Sequence, residues 1–168
     1  MKSKIIIGVM GPGENASPEE NELAYEMGEA IAKQGWVLLT GGREFGVMHS
    51  AMKGASDHNG LTIGVLPTDS TRGSSPHAQL KIVTGMGSAR NNITVLSSHV
   101  IVVAGMSPGT VSEVALAIKA NKKIILLSQD ELSVMFFKKI GTYRVTPVNT
   151  VKDAINLIRD YVSLNQIR

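Results

Sequence analysis

From one end of the chain to the other, apolar runs of four to six residues alternate with stretches of helical periodicity. That alternation marks successive βαβ units, in which strands are buried on both faces and helices cover a parallel sheet. The pattern predicts a doubly wound, mostly parallel sheet of about six to seven strands with helices on both faces. Its 168 residues suffice for a real core and read as a single ligand-binding domain over residues 1–168.

The first strand reads Lys4 to Val9 and runs into Gly11-Pro12-Gly13. Ser17-Pro18-Glu19-Glu20 then starts a helix: Ser17 can cap, Pro18 suits the first helical position and Glu20 completes a capping box. Leu23, Met27, Ala30 and Ile31 form its inward stripe, and Gly35 ends it. A second strand, Trp36 to Leu39, meets Thr40-Gly41-Gly42, and a helix follows from Gly46 to His58. The third strand is Leu61 to Leu66. Pro67 to Pro76 is the most polar and least periodic stretch, a loop because strand–helix order resumes at Leu80. Pro67 to Gln79 is expected to act as a mobile cover. Leu80 to Thr84, His99 to Ala104 and Lys123 to Leu127 read as further strands, with His99 to Ala104 the most apolar and so central. Helices are expected from near Ser88, from Thr110 to Ala120, near Glu131 to Lys139 and from Val151, with a last strand near Tyr143 to Val148.

Composition narrows the function classes. Apolar residues make up 43% and charged residues 18%, an ordinary globular balance. The absence of cysteine removes disulfides, thiolate metal sites and a cysteine nucleophile together, and suits a reducing compartment. Residues 1–50 carry seven acids and four bases, and the remainder seven acids and thirteen bases. The net charge is only +3, aromatics are 4%, and the bases are scattered, with Lys122-Lys123 and Lys138-Lys139 the only pairs. Most bases therefore read as solvated faces, and no nucleic-acid partner is expected. Met1-Lys2-Ser3-Lys4 leads into the first strand without a signal-peptide pattern, and the apolar runs are too short to span a bilayer. A cytoplasmic protein with no membrane partner is the expectation, and its ligand is an anionic, phosphate-bearing small molecule.

In an open parallel sheet, ligands sit beyond the carboxyl ends of the strands, where helix N-termini offer free N–H groups and a positive dipole. Glycine stands at four such ends: Gly11-Pro12-Gly13, Gly41-Gly42, Gly85-Met86-Gly87, and Gly105 with Gly109. Turns of this kind use glycine for their own geometry, so the weight lies in finding four on one face. The fold is thus Rossmann-like. The candidate binding residues are Gly11 and Pro12 from the first turn, and Thr40, Gly41, Gly42, Arg43 and Gly46 from the second. Pro67 ends the third strand, and Ser88, Arg90 and Asn91 open a later helix. The last turn supplies Gly105, Met106, Ser107, Pro108, Gly109, Thr110 and Glu113.

Arg90 is placed for phosphate contact, with Arg43 a weaker candidate of the same kind. Thr110-Val111-Ser112-Glu113 has two readings, a capping box or a first-turn carboxylate facing a sugar hydroxyl or amine. Gly11 to Ala16 has the spacing of a dinucleotide fingerprint, but its helix opens only after Ser17 and no acid ends the second strand to hold a ribose. Neither NAD nor pyridoxal phosphate is expected. His49, His58, His77 and His99 show no metal-ligand spacing, and no catalytic triad or nucleophile elbow is present. Met48 and Met52 read as packing or subunit contact.

At Thr40 to Met48 and Gly105 to Glu113 the chain resembles the lonely-guy-like superfamily, once described as lysine decarboxylases. Its enzymes are cytokinin riboside monophosphate phosphoribohydrolases, with turns of the form G-G-G-x-x-G-x-M and P-G-G-x-G-T-x-x-E. In that resemblance Arg90 and Glu113 match the catalytic arginine and glutamate, and the implied activity releases free base from AMP-like nucleotides. Two departures stand out: Arg43 replaces the third glycine, and Gly105-Met106-Ser107-Pro108-Gly109-Thr110 replaces the second turn. Both look like the molybdenum cofactor carrier proteins of algae and cyanobacteria. That similarity extends over Gly8 to Gly13, Trp36 to Met48, Ile63 to Pro67, Val83 to Gly85, Gly87 to Arg90 and Gly105 to Glu113. The resemblance implies a homo-oligomer, a tetramer or dimer, that holds molybdopterin as cargo without catalysis. It implies molybdenum enzymes such as nitrate reductase as recipients. The residues are compatible with it: the cofactor's phosphate and oxo-molybdenum head suit helix N-termini and arginine, and its dithiolene supplies the sulfur a cysteine-free carrier lacks.

Overall fold

A computed structural model describes residues 4–164, so Met1 to Ser3, read above as leading into the first strand, lie outside the described residues. The strands are β1 (Ile6–Met10), β2 (Val37–Thr40), β3 (Thr62–Leu66), β4 (Leu80–Val83), β5 (Val100–Ala104), β6 (Lys123–Leu127) and β7 (Val145–Val148). The helices are α1 (Pro18–Lys33), α2 (Gly46–Asp57), α3 (Arg90–Ser97), α4 (Pro108–Lys119), α5 (Glu131–Gly141) and α6 (Val151–Ser163). Short 3-10 turns precede α3 and β7, at Gly87–Ala89 and Thr142–Arg144.

The seven strands form one sheet in the order β4-β3-β2-β1-β5-β6-β7, every pair parallel. The fold is the expected Rossmann-like α/β architecture. β1, rather than the more apolar β5, stands in the middle, with β5 beside it and buried along its whole length. Alternate residues of each central strand feed opposite cores, as a sheet buried on both faces requires. Val100, Val102, Ile125 and Leu127 pack with α1, α2 and α6, while Ile101, Val103, Ile124 and Leu126 pack with α3, α4 and α5.

Local signals hold where the chemistry is short-range. Ser17 Oγ accepts from the Glu20 amide at 3.1 Å and Glu20 Oε2 accepts from the Ser17 amide at 2.8 Å, so the capping box is complete. The inward face of α1 is centred on Ala24, Met27, Gly28 and Ile31, slightly rotated from the expected stripe. The reason is α2: a Cβ on Gly28 would collide with the Ala51 carbonyl oxygen, and one on Gly54 with that of Tyr25. Two glycines therefore set how closely α1 and α2 approach.

Two expectations need correction. Only residues 68–73 of the Pro67–Gln79 cover are exposed throughout; the following stretch is pinned. The buried Ser75 donates its amide to Gly42 at 2.9 Å, Thr62 Oγ1 donates to the His77 carbonyl at 2.6 Å, and Ala78 is buried. Lys122, counted among solvated bases, is buried instead and donates from Nζ to the Leu96 and Ser98 carbonyls at 2.9 and 2.7 Å. It satisfies carbonyls at the end of α3 that the helix itself leaves open.

β4 is exposed at all four residues. No helix joins it to β3, and α3 runs back from this edge to β5, packing against β3 and β1 on the way. Among the described residues, no helix is long and apolar enough to cross a membrane. Replacing Gly28 with alanine overpacks the α1–α2 contact and is expected to destabilise by about 1–3 kcal/mol. The check is a urea midpoint that falls with unchanged slope; a midpoint equal to wild type contradicts the close approach.

Candidate functional site

The order of strands reverses between β1 and β5, because the chain first builds outward through β4 and then returns to continue on the other side of β1. Such a reversal opens a crevice at the carboxyl ends of the two strands, since their following loops turn to opposite sides. Three of the four glycine-bearing strand ends, those of β1, β2 and β5, converge there. They enclose a cavity of about 160 Å³.

Of the residues singled out in the sequence, Gly11, Gly41, Arg43, Arg90, Asn91, Ser107, Gly109, Thr110 and Glu113 line this cavity. Pro12, Thr40, Gly42, Gly46, Pro67, Ser88, Gly105 and Pro108 do not, although several shape it. Thr40 Oγ1 accepts from the Gly42 amide at 3.0 Å, and the Pro12 carbonyl accepts from the Val47 amide at 3.0 Å, fastening the first turn to α2. The Pro67 carbonyl accepts from the Gly87 amide at 2.9 Å. Met106 lies on a separate, apolar groove of about 460 Å³, against Val111, Leu132 and Phe136.

The chemistry centres on Arg90 and Glu113. Arg90 opens α3, and the return of that helix across the sheet brings its guanidinium over Gly41. A Cβ on Gly41 would stand 2.7 Å from both Arg90 Nη1 and Met48 Sδ, so a larger residue there would displace the ends of these two side chains. Arg90 Nη1 donates to Glu113 Oε1 at 3.4 Å, and the two residues are 8% and 7% exposed. Arg90 Nε has no hydrogen-bond partner among the described residues. Burial disfavours charge on both groups. It pushes the Glu113 carboxyl up to about 7 although Arg90 pulls the other way, and it lowers Arg90 although Glu113 opposes this. A carboxyl poised near neutrality can accept, donate or exchange a proton with a bound group.

Glu113 reaches this position because α4 starts earlier than the sequence suggested. Ser107, not Thr110, is the N-cap: its Oγ accepts from the Thr110 amide at 3.3 Å and lies 2.9 Å from Thr110 Oγ1. Pro108 takes the first helical position, as its fixed φ favours. Glu113 therefore sits in the second turn and makes no capping box with Thr110; its side chain is spent on Arg90.

Several lining residues were not foreseen. Met48 packs against the core as read and also lines the cavity together with Gly13, whereas Met52 is fully buried in the core. Gly13, Met48 and Arg43 also border a second cavity of about 300 Å³ that includes Glu14, Asn15 and Phe45. Arg43 is half exposed there, 3.8 Å from Glu14 Oε1 and with its guanidinium carbon 6.0 Å from the Phe45 ring centroid. The only signal in the sequence for this wall was the position of Glu14-Asn15 directly after the first glycine turn.

Taken together, fold and site define a Rossmann-like α/β protein with a cationic, glycine-walled cavity at the strand-order reversal. The chain belongs to the SLOG cluster4 family, whose model matches residues 4–155. It is similar over 96% of its length to the molybdenum cofactor binding protein of the phototrophic bacterium Rippkaea orientalis, at 48% identity and a TM-score of 0.94, covering 99% of that chain. It is likewise similar to the molybdenum cofactor carrier protein of Chlamydomonas reinhardtii, at 47% identity and a TM-score of 0.92, again over 96% of this chain and 99% of that one. A stretch of 50 residues, 30% of this chain, is 44% identical to a cytokinin riboside 5'-monophosphate phosphoribohydrolase of Mycobacterium marinum, of which it spans 27%.

The raised Glu113 has a consequence for stability. The folded protein keeps this proton up to about pH 7, whereas the unfolded chain releases it near 4.5. Its contribution is therefore full below the unfolded value and is lost as pH rises through about 7. Urea midpoints between pH 5 and 8 are expected to decline for wild type and to lose that component in Glu113→Gln. Parallel profiles for the two proteins would contradict the assignment.

Proposed function

We propose that this protein binds the molybdenum cofactor and carries or stores it without transforming it. The observation that carries this reading is the chain-long similarity to two solved proteins whose names state that they bind or carry that cofactor. The site's chemistry supports it. Molybdopterin ends in a phosphate and holds an anionic oxo-molybdenum head, and the cavity offers Arg90, Arg43 and the N-terminal end of α4. The chain contains no cysteine, and the cofactor brings its own dithiolene sulfurs. A carrier must also let go, and hydrogen bonds spread over backbone and side chains release more readily than a metal–protein bond. The roughly 160 Å³ cavity suits one charged end of the molecule, and the adjoining 300 Å³ cavity suits the remainder.

On this reading the protein is cytoplasmic, and its recipients are molybdenum enzymes such as nitrate reductase. It assembles as a homotetramer. Two separate apolar surfaces support that state: the groove beside Leu132, Met135 and Phe136, and the bare edge strand with Leu80, Ile82 and Val83. A tetramer of dihedral symmetry needs two distinct self-complementary patches on each chain. Phe136→Glu and Ile82→Lys should each reduce the tetramer to a dimer in light scattering, and a monomeric wild type would remove the proposal.

A second reading, hydrolysis of a nucleoside 5'-monophosphate, has one observation in its favour: the buried Arg90–Glu113 pair matches the arginine and glutamate of the resembled enzymes. The altered turns at Arg43 and Met106 to Pro108 weigh against it. Incubation with AMP or an N6-modified analogue is expected to release no free base; release that Glu113→Gln abolishes would favour the enzyme.

Anaerobic titration with molybdopterin cofactor is the direct test, with saturable binding of about one equivalent per chain expected. Arg90→Lys keeps the charge beside Glu113 but loses the planar fork, and should weaken binding about ten- to a hundredfold. Absence of saturable binding to wild type would overturn the carrier reading, and an unchanged affinity for the variant would remove Arg90 from the site.

A further inference from the structure

We propose that the cavity between Arg90 and Glu113 is a subsite for a tetrahedral oxyanion that is occupied together with a proton on Glu113, so that anion and proton enter and leave as a pair. The inference rests on reading this site as the anion-holding end of a carrier, and adds how its grip is controlled.

The geometry leaves Arg90 underused. Among the described residues its side chain makes one hydrogen bond, to Glu113 at 3.4 Å, longer than the roughly 2.7–2.9 Å of a good charge-assisted pair. Its Nε is buried without a hydrogen-bond partner among the described residues, and the Arg90 side chain lines an open volume of about 160 Å³. Given about 30 Å³ for a water in the liquid, that space corresponds to about five waters and has room for a sulfate-sized oxyanion. An oxyanion there offers acceptors to the guanidinium that Glu113 alone does not provide.

Glu113 decides whether the oxyanion is welcome. Ionised, it neutralises Arg90 and presents a second negative charge to any anion in the same buried volume. Protonated, it frees the guanidinium and turns its own hydroxyl into a donor. Among the described residues no other acid lines the cavity. Asn91 enters from α3, and Ser107 and Thr110 from α4, all uncharged; Gly11 and Gly13 come from the first turn, and Arg43 comes from the turn after β2. Arg43 is held on its outer side by Glu14, 3.8 Å away, outside this lining. The cavity thus carries two cations and one carboxyl, and the carboxyl is the group whose charge changes near neutrality. Its burial already holds the proton to about pH 7 before any anion arrives.

With binding confined to the protonated form, affinity falls as pH rises through that value, by about tenfold between pH 6 and pH 8. Net proton uptake on binding rises towards one across the same range. A recipient that draws the proton off Glu113, or a small rise in local pH, would then loosen the anion without any movement of the backbone.

The probes are sodium sulfate and sodium molybdate, tetrahedral dianions that do not titrate between pH 6 and 8. Calorimetric titration of wild type should show a dissociation constant about tenfold larger at pH 8 than at pH 6, and buffers of different ionisation enthalpy should reveal proton uptake. Glu113→Gln should bind with no such dependence and no uptake. Absence of oxyanion binding at pH 6, a pH-independent wild-type affinity, or an equal slope in the variant would each overturn the proposal. Proton uptake is measured on wild type, so the test survives a variant that folds poorly. Repeating the cofactor titration at both pH values separates the two readings. PH-independent cofactor binding would sink the subsite and keep the carrier, while oxyanion binding without cofactor binding would sink the carrier and keep the subsite.

Discussion

The reversal of strand order beside β1 is the constraint on which everything at the site depends. A parallel sheet must be covered on both faces, so the chain cannot keep adding strands in one direction with its helices on one side. It builds β1 to β4 under α1 and α2, then returns through α3 to lay β5 on the other flank of β1. That single return opens the crevice, brings Arg90 over Gly41, and sets α4 with its N-terminus towards the same point. Helix dipole, guanidinium and glycine turns converge because the topology permits little else.

The return has a cost at the edge. α3 is only eight residues long and packs on β3 and β1, so β4 is left bare with three apolar side chains facing outward. An uncovered edge strand is normally blunted by charge or proline, and Lys81 is the sole charged residue of β4. The α5 surface is equally open, with Leu132 78% exposed. Both surfaces are explained together if copies of the chain cover them.

The buried Arg90–Glu113 pair is a weak source of stability. Taking two charges out of water costs about as much as their attraction returns, and a well-packed apolar pair would hold the fold as well. Here the bond is long and one guanidinium nitrogen has no partner among the described residues, an arrangement that stability alone does not favour. The pair sets a guanidinium beside a carboxyl whose charge changes near neutrality. The proposed proton-coupled anion site gives that poise a use.

Much of the fold was legible in the sequence because its causes are local. Hydrophobic period and length identified every strand and helix to within about two residues, and the Ser17–Glu20 capping box needs only neighbours in the chain. Three of the four glycine-bearing strand ends singled out in the sequence line the cavity, those after β1, β2 and β5. What the sequence did not carry was which groups share a cavity, since that depends on the path of α3 and on where α4 begins. Glu113 looked like a partner for Thr110 until Ser107 took the cap, and Met48, which does pack on the core, also proved to line the cavity with Arg90. Lys122 looked solvated because the carbonyls it meets lie 24 and 26 residues away. Residue order by itself determined the elements and most of the strand ends that border the cavity. Only the tertiary structure decided that Arg90 and Glu113, 23 residues apart, share one buried volume and one proton's worth of charge, because burial and distance are properties of the folded chain.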